Sequence, residues 1–284
     1  MNSTQKHSPS FSCEFFPPKT DQGMEKLLAT SQKLKQAINP EFFSVTFGAG
    51  GTTRDRTFEA VNQIHQTSGI DVAPHLSCIG STKELISEIL DNYKQQGIKR
   101  IVALRGDIPS GMYSPGEFRY ANELVSFIRQ QHGDHFILEV AAYPEFHPQA
   151  KSATRDLENF KRKVEAGANS AITQYFYNND AYFRFVESCE KMGVSIPIIP
   201  GIMPITNYSN LARFSETCGA EIPQWLAKRL QAYGDDVDSI KAYGADVVSD
   251  MCQRLIDAGV PGLHFYTLNQ ADATLNIWDN LSLS

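Results

Sequence analysis

The chain is poor in what several function classes require. Its five cysteines (Cys13, Cys78, Cys189, Cys218 and Cys252) are odd in number, widely spaced and without a CxxC pair. That argues against a disulfide framework or a zinc knuckle and reads as free thiols in a cytoplasmic protein. No run approaches the roughly 20 apolar residues of a membrane-spanning helix. The opening MNSTQKHSPS lacks the apolar core of a signal peptide and reads as a flexible arm over residues 1–10. Positive charge is scarce: 26 Lys and Arg against 32 Asp and Glu leave a formal charge of −6. Such a balance argues against non-specific nucleic-acid binding, and an anionic ligand would need a local cluster of basic groups.

Generic site signatures are missing too. GAGGTT (48–53) is glycine-rich but is not G-x-G-x-x-G. Gly106 and Gly111 have Walker spacing, yet Met112 and Tyr113 stand where Lys and Ser/Thr are needed. HGDH (132–135) offers too few ligands for zinc and reads as a surface turn, so no metal site is expected. No G-x-S-x-G element occurs.

What is there is a regular alternation. Eight short β-rich runs appear: FSCEFF (11–16), FFSVTF (42–47), DVAPHLSC (71–78), RIVALRG (100–106), FILEVAAY (136–143), SAITQYFY (170–177), IPIIPGI (196–202) and GLHFYTL (262–268). Helical stretches lie between them. TKELISEILDNYKQQG (82–97) puts Leu85, Ile86, Ile89, Leu90 and Tyr93 on one face, with Gly97 as a stop. TRDRTFEAVNQIHQ (53–66) has Thr53 as a candidate N-cap, and DLENFKRKVEAGA (156–168) ends in a Gly-containing turn. The last gap can hold two or three helices. With 42% hydrophobic residues the 284-residue chain can bury a sizeable core. Eight β-then-α units favour a single α/β domain over residues 11–284, an eight-stranded β/α (TIM) barrel with extra helices between strands 7 and 8.

Side chains along a strand alternate between faces. Phe11, Cys13 and Phe15 then oppose Ser12 and Glu14. Phe43, Val45 and Phe47 oppose Ser44 and Thr46. Val72, Pro74 and Leu76 oppose Ala73, His75 and Ser77. In the fourth run Arg105 lies opposite Val102 and Leu104, and Gln174, His264 and Tyr266 repeat the polar face. The apolar face should pack on the helices and the polar one should enter the lumen. Barrel enzymes place their active sites at the carboxyl ends of the strands. Some lumen polars, such as Glu139, can instead serve internal hydrogen bonds. Glu14 is an acid inside a run of aromatics, where its ionised form is costly unless something offsets the cost.

The strand-end segments CEFFPPK, SVTFGAG, APHLSC, ALRGD, AAYPEFHP, AITQYF, PGIMP and HFYTLN together resemble those of methylenetetrahydrofolate reductases of the single-domain bacterial type. The resemblance runs from about Phe11 to Asn269. It implies a barrel with non-covalent FAD, reduced by NADH or NADPH, that converts 5,10-methylenetetrahydrofolate to 5-methyltetrahydrofolate by a ping-pong scheme feeding methionine synthesis. By the same resemblance Glu14 is the general acid, its pKa raised by Phe15, Phe16 and the barrel wall. Asp107 is the carboxylate near the flavin and the folate. The FAD contacts implied are Thr46, His75, Arg105, Gly106, Asp107, Tyr120, Ala121, Tyr143, His147, Asp156 and Lys163. Arg105 and Lys163, with His147 if protonated, could offset a pyrophosphate, although Lys163 also reads as one charge of a solvated helix face.

Glu14, Gln174, Phe214 and Tyr266 are the implied substrate contacts; Phe214 also reads as helix core. Two positions depart from the family pattern: Gln270 stands where Arg is common, and Phe47 where Tyr is common. The resemblance further implies a homo-oligomer, often a tetramer, and no regulatory domain after the barrel. Two other classes remain open on the residues alone. One is a different FAD barrel, such as a proline dehydrogenase. The other is a barrel without a redox role, disfavoured because no lysine occupies a lumen position in the runs.

Overall fold

A computed structural model describes residues 9–47, 51–107 and 116–283, without the side chains of 51–54. Most of the expected arm, and parts of the 48–53 and 106–113 glycine segments, lie outside the described residues. The strands are β1 (Ser10–Phe15), β2 (Phe42–Val45), β3 (Asp71–Ser77), β4 (Arg100–Leu104), β5 (Ile137–Ala142), β6 (Ser170–Thr173), β7 (Ile198–Ile199), β8 (Gly201–Ile202) and β9 (Gly262–Tyr266). Between them run α1 (Asp21–Ile38), α2 (Gly51–Ser68), α3 (Lys83–Gln95), α4 (Ala121–His132), α5 (Ala153–Glu165) and α6 (Asn179–Lys191). Three helices, α7 (Tyr208–Cys218), α8 (Gln224–Ala232) and α9 (Val237–Asp257), fill the last gap, and α10 (Asp272–Asp279) follows β9.

All strand pairs are parallel. β1 sits between β2 (Cys13 opposite Phe43) and β9 (Cys13 opposite Phe265), and the ladder runs from β2 to β7 in sequence order. β7 pairs with β6 and β8 with β9. These two short strands are halves of one barrel position, separated by Pro200, which has no N–H for a ladder. Gly201 is required just beyond it: a Cβ there would lie 2.1 Å from the Thr173 carbonyl oxygen and 2.7 Å from the Tyr266 ring.

Helix starts follow local chemistry. Thr20, Thr82 and Ser152 accept hydrogen bonds from the N–H groups of Gly23, Leu85 and Arg155, capping α1, α3 and α5. Two expected starts shift. α2 begins at Gly51, so Thr53 lies within the helix rather than at its cap. α5 begins three residues before Asp156, because Ser152 takes the cap.

The outward faces of the strands, including Cys13, Phe15, Phe43, Leu76, Leu138, Val140, Leu263 and Phe265, form the core shared with the helices. A second cluster fills the lumen: Phe42, Ala73, Val102 and Ile172, with Leu104 and Tyr266 against it. This overturns the expected parity of β4. Val102 and Leu104 face the lumen, while Ile101 and Ala103 face the helices. Arg105 misled because the strand ends at Leu104. The chain turns at Gly106 (φ +84°), where a Cβ would also come within 2.9 Å of the Ser77 side chain.

The amino-terminal end of the lumen is closed by charge. Glu139, fully buried, accepts from Arg100 Nη1 at 2.5 Å and from the Ser170 hydroxyl at 2.5 Å. Arg100 also pairs with Glu41 and lies 4.3 Å from the centre of the Phe42 ring. Ser10 donates to Glu41. Glu139 thus serves internal hydrogen bonding, one of the two readings its sequence left open.

Candidate active site

Glu14 enters the other end of the lumen. On β1 it lies opposite Ser44 of β2 and Tyr266 of β9. Thr267 donates its hydroxyl to the Glu14 carbonyl at 2.6 Å. The Asn269 amide accepts from the Phe16 N–H at 2.9 Å and donates to the Phe16 carbonyl at 2.8 Å. The loop after β9 therefore fastens the end of β1 and holds the acid in register.

The walls around the carboxylate differ from those expected. Phe15 packs outward among the helices, and Phe16 is 46% exposed. The groups facing Glu14 are histidines: His75 Nε2 at 3.2 Å and His264 Nε2 at 3.6 Å from Oε2. Both nitrogens are buried, and neither is aligned for a well-formed hydrogen bond. His264 Nδ1 meets the Ser12 hydroxyl at 2.7 Å.

The expected upward pKa shift is reversed. Burial pushes the Glu14 carboxyl up, but the charge of His75, with His264 beside it, outweighs burial and pulls it down to about 2. That pull lasts only while the imidazoles are protonated. When they are neutral, burial dominates and the acid form is favoured.

A second cluster joins the loops after β4 and β5 to the start of α5. His147 donates its N–H to Asp156 at 2.8 Å, and its ring meets Tyr143 edge-on at 4.6 Å. Arg105 Nη2 donates to Gln149 at 2.7 Å. Lys163 reaches from α5 to the Ala141 carbonyl at 2.5 Å; burial lowers its pKa to about 8, against the pull of Asp156. It is thus no member of a solvated face. Burial also lowers the pKa of His147, where the charges of Asp156, Arg105, Lys163 and Asp107 are all felt. Arg105, Lys163, a histidine and Tyr143 stand together, a donor set that fits the pyrophosphate and isoalloxazine of a flavin nucleotide.

The other positions that the resemblance implies for FAD are more dispersed. Asp107 and Tyr120 are exposed, and Ala121 opens α4. The Thr46 N–H donates to Phe15 at the β1–β2 junction. The Phe47 departure falls just beyond it, and Gln270 is exposed in the loop after β9.

Of the positions expected to contact substrate, Tyr266 donates its hydroxyl to the Thr173 carbonyl at 2.7 Å, and Gln174 borders a small cavity with Tyr143, Tyr175 and Cys218. Phe214 is 39% exposed on α7, whose buried face is carried by Leu211 and Ser215, so it is not helix core. A larger cleft of about 520 Å³, between α6, α8 and α9, holds none of the candidate residues. HGDH caps α4 as a turn, but its histidine rings pack edge-on against Phe136 rather than standing in solvent.

Comparison with known proteins decides the family. The family model for methylenetetrahydrofolate reductase matches residues 1–282. The 5,10-methylenetetrahydrofolate reductase of Escherichia coli (strain K12) is 42% identical over 272 residues, 96% of this chain and 90% of that protein. The chain belongs to the methylenetetrahydrofolate reductase family. It is an oxidoreductase of that family and an α/β barrel, as its strand-end segments implied.

Other relatives agree. The enzyme of Buchnera aphidicola subsp. Acyrthosiphon pisum (strain APS) is 43% identical, covering 96% of this chain and 91% of that protein. A probable methylenetetrahydrofolate reductase (NADH) of Oryza sativa subsp. japonica is 38% identical, and 48% of its length is covered. Among solved structures, a Clostridium thermocellum protein that binds two copies of 5-methyl-5,6,7,8-tetrahydrofolic acid shares the fold, with TM-score 0.65 and 16% identity over 97% of this chain and 94% of that one. No helix among the described residues is long and apolar enough to cross a membrane.

His264, Ser12 and Asn269 were missing from the candidate set. The first two were detectable: both have lumen parity, on strands that the barrel closure makes neighbours. Asn269 was not, since its bridge depends on a turn with two positive φ angles, at Leu268 (52°) and Asn269 (58°).

Proposed function

We propose that the chain reduces 5,10-methylenetetrahydrofolate to 5-methyltetrahydrofolate, taking electrons from NADH or NADPH by a ping-pong route through non-covalent FAD, in a cytoplasmic homo-oligomer that supplies methionine synthesis. The observation that carries this reading is the placement of Glu14 at the carboxyl end of the lumen between two histidines, on a chain of this family. Bound FAD would supply the hydride relay between the two substrates.

The protein's own part is positioning and proton control. Arg105 and Lys163 would hold the flavin pyrophosphate, with Tyr143 and His147 beside the ring system. Asp107 would set a negative charge near it and disfavour a further anion. Gln174 can both donate and accept, which suits a pterin or carboxamide edge. Phe214 and Tyr266 present aromatic surface to a planar substrate.

Opening the methylene bridge of the folate requires a proton on the departing nitrogen. Glu14 delivers it from Oε2, and His75 and His264 set whether the proton is there to give. With both imidazoles neutral, burial keeps it on Glu14. With one protonated, it resides on the imidazole and can return through the carboxylate.

The purified protein should carry a flavin absorbance. Under anaerobic stopped-flow, a pyridine nucleotide should bleach it and methylenetetrahydrofolate should restore it. A flavin that bleaches but is not reoxidised by methylenetetrahydrofolate would sink the reductase reading and favour another flavin barrel. A colourless protein would sink the flavin.

A further inference from the structure

Four non-glycine residues among those described have positive φ, and one stands apart. Asn39, Leu268 and Asn269 lie at 49°, 52° and 58°, near the left-handed helical region that side chains tolerate best; Phe146 lies at 147°. A bulky residue is strained there, and such strain persists only where the surroundings fix it. Both neighbours are pinned. The Glu145 carboxylate accepts from the Glu221 N–H at 2.7 Å, and the His147 N–H donates to Asp156 at 2.8 Å. Packing does not reward the strained position, because Phe146 is 49% exposed and belongs to neither apolar cluster. A strained aromatic left in water needs another reason to be there.

Its location supplies one. Phe146 borders the small cavity that Tyr143, Gln174 and Cys218 also line. Phe214 precedes Cys218 by four residues on α7, the spacing that puts two side chains on one helix face. The mouth therefore carries exposed aromatics on two separate elements, the loop after β5 and α7, around the Gln174 position.

We propose that Phe146 is a substrate-binding residue, giving a second aromatic surface, beside that of Phe214, for the planar ring of the substrate at this mouth. This rests on the reductase reading above and assigns to the site a residue outside its candidate set. The shared chemistry is a flat heteroaromatic ring, which either the folate or the nicotinamide nucleotide could bring.

Phe146→Gly, Phe146→Ala and Phe146→Tyr tested in the FAD-loaded protein separate the possibilities. Glycine releases the backbone strain, so its unfolding midpoint should rise. Equilibrium binding of 5-methyltetrahydrofolate, NADH or both should weaken about tenfold in the Gly and Ala variants, the scale of a lost aromatic pair, and the ligand affected identifies which ring stacks. Phe146→Tyr should bind like the native protein, and FAD affinity should be unchanged in all three.

Native-like binding of both ligands by Phe146→Gly overturns the proposal. So does a lowered unfolding midpoint of that variant, which would make the ring a packing element, or a loss confined to FAD. If the native protein itself binds neither ligand, the reductase reading fails first, and the proposal falls with it.

Discussion

The two ends of the lumen each hold a glutamate, under opposite terms. At the amino-terminal end Glu139 has no exposure, one guanidinium and one hydroxyl aimed at it, and an aromatic ring under the arginine. At the carboxyl end Glu14 is part-exposed (19% of its side chain), and its neighbours are two imidazoles whose facing nitrogens lack good hydrogen bonds. A guanidinium keeps its charge at any ordinary pH, whereas an imidazole changes charge near neutrality. The same residue type is thus locked by a permanent partner at one end and poised by a switchable one at the other. That division matches the general rule for β/α barrels, with stability at the amino face and chemistry at the carboxyl face.

Exchanging the two carboxylates for amides should pull these roles apart. Glu14→Gln should lower the rate of flavin reoxidation by methylenetetrahydrofolate about 10²- to 10⁴-fold, the usual scale for a general acid. Flavin reduction by NADH should be nearly unchanged, because that half-reaction needs no proton at the folate. Equal losses in both half-reactions, read by stopped-flow, would remove Glu14 from proton transfer.

Glu139→Gln should do the reverse. It leaves Arg100 facing a neutral amide in a buried site, at a cost of about 3 kcal/mol in denaturant unfolding. Activity per folded molecule should persist. A variant as stable as the native protein would show that Glu41 alone satisfies Arg100.

The two ends also differed in how far they could be read from the sequence. β1, β3 and β9 were legible because one face is apolar and the other polar, so Glu14, His75 and His264 fell into the lumen by parity alone. β4 was not, since Ile101, Val102, Ala103 and Leu104 are apolar on both faces and the nearest polar marker, Arg105, lies beyond the strand. Alternation reports a direction only while the chain remains extended. The break at Pro200 left a seventh run that looks continuous. The sign of the Glu14 shift was out of reach for a related reason. The sequence neighbours Phe15 and Phe16 suggested an apolar wall, but on a strand adjacent residues point away from each other, and the true neighbours come from β3 and β9.

A smaller effect should appear at the rim. The Lys163 ammonium is charged below its lowered pKa of about 8 and neutral above it. Its attraction for a flavin pyrophosphate is therefore present below that pH and fades as pH rises through it. FAD affinity, followed by fluorescence titration, should weaken by about tenfold toward pH 10, on the scale of one charge-assisted contact. Lys163→Met should bind weakly throughout and lose that pH dependence. An unchanged slope in the variant would assign the titration to another group.

The subtlest test concerns the switch itself. The Glu14 carboxyl is drawn from its ordinary value near 4.5 to about 2. A depressed acid contributes stability that is fully present above the unfolded value and is lost as pH falls through the folded one. Between about pH 4.5 and 2 the native protein should therefore lose stability partly through this group. His75→Asn removes the larger cationic influence on the carboxylate, so its pKa should rise toward the unfolded value and the stability lost to acid through this group should shrink. The same variant should protonate Glu14 more readily and move the alkaline limb of flavin reoxidation, where the acid loses its proton, to higher pH, while Arg100, Glu139 and the lower ion network are untouched. If acid unfolding and the rate profile both stay where they were, the charge of His75 does not govern Glu14, and the contrast between a locked and a poised carboxylate would rest on His264 alone.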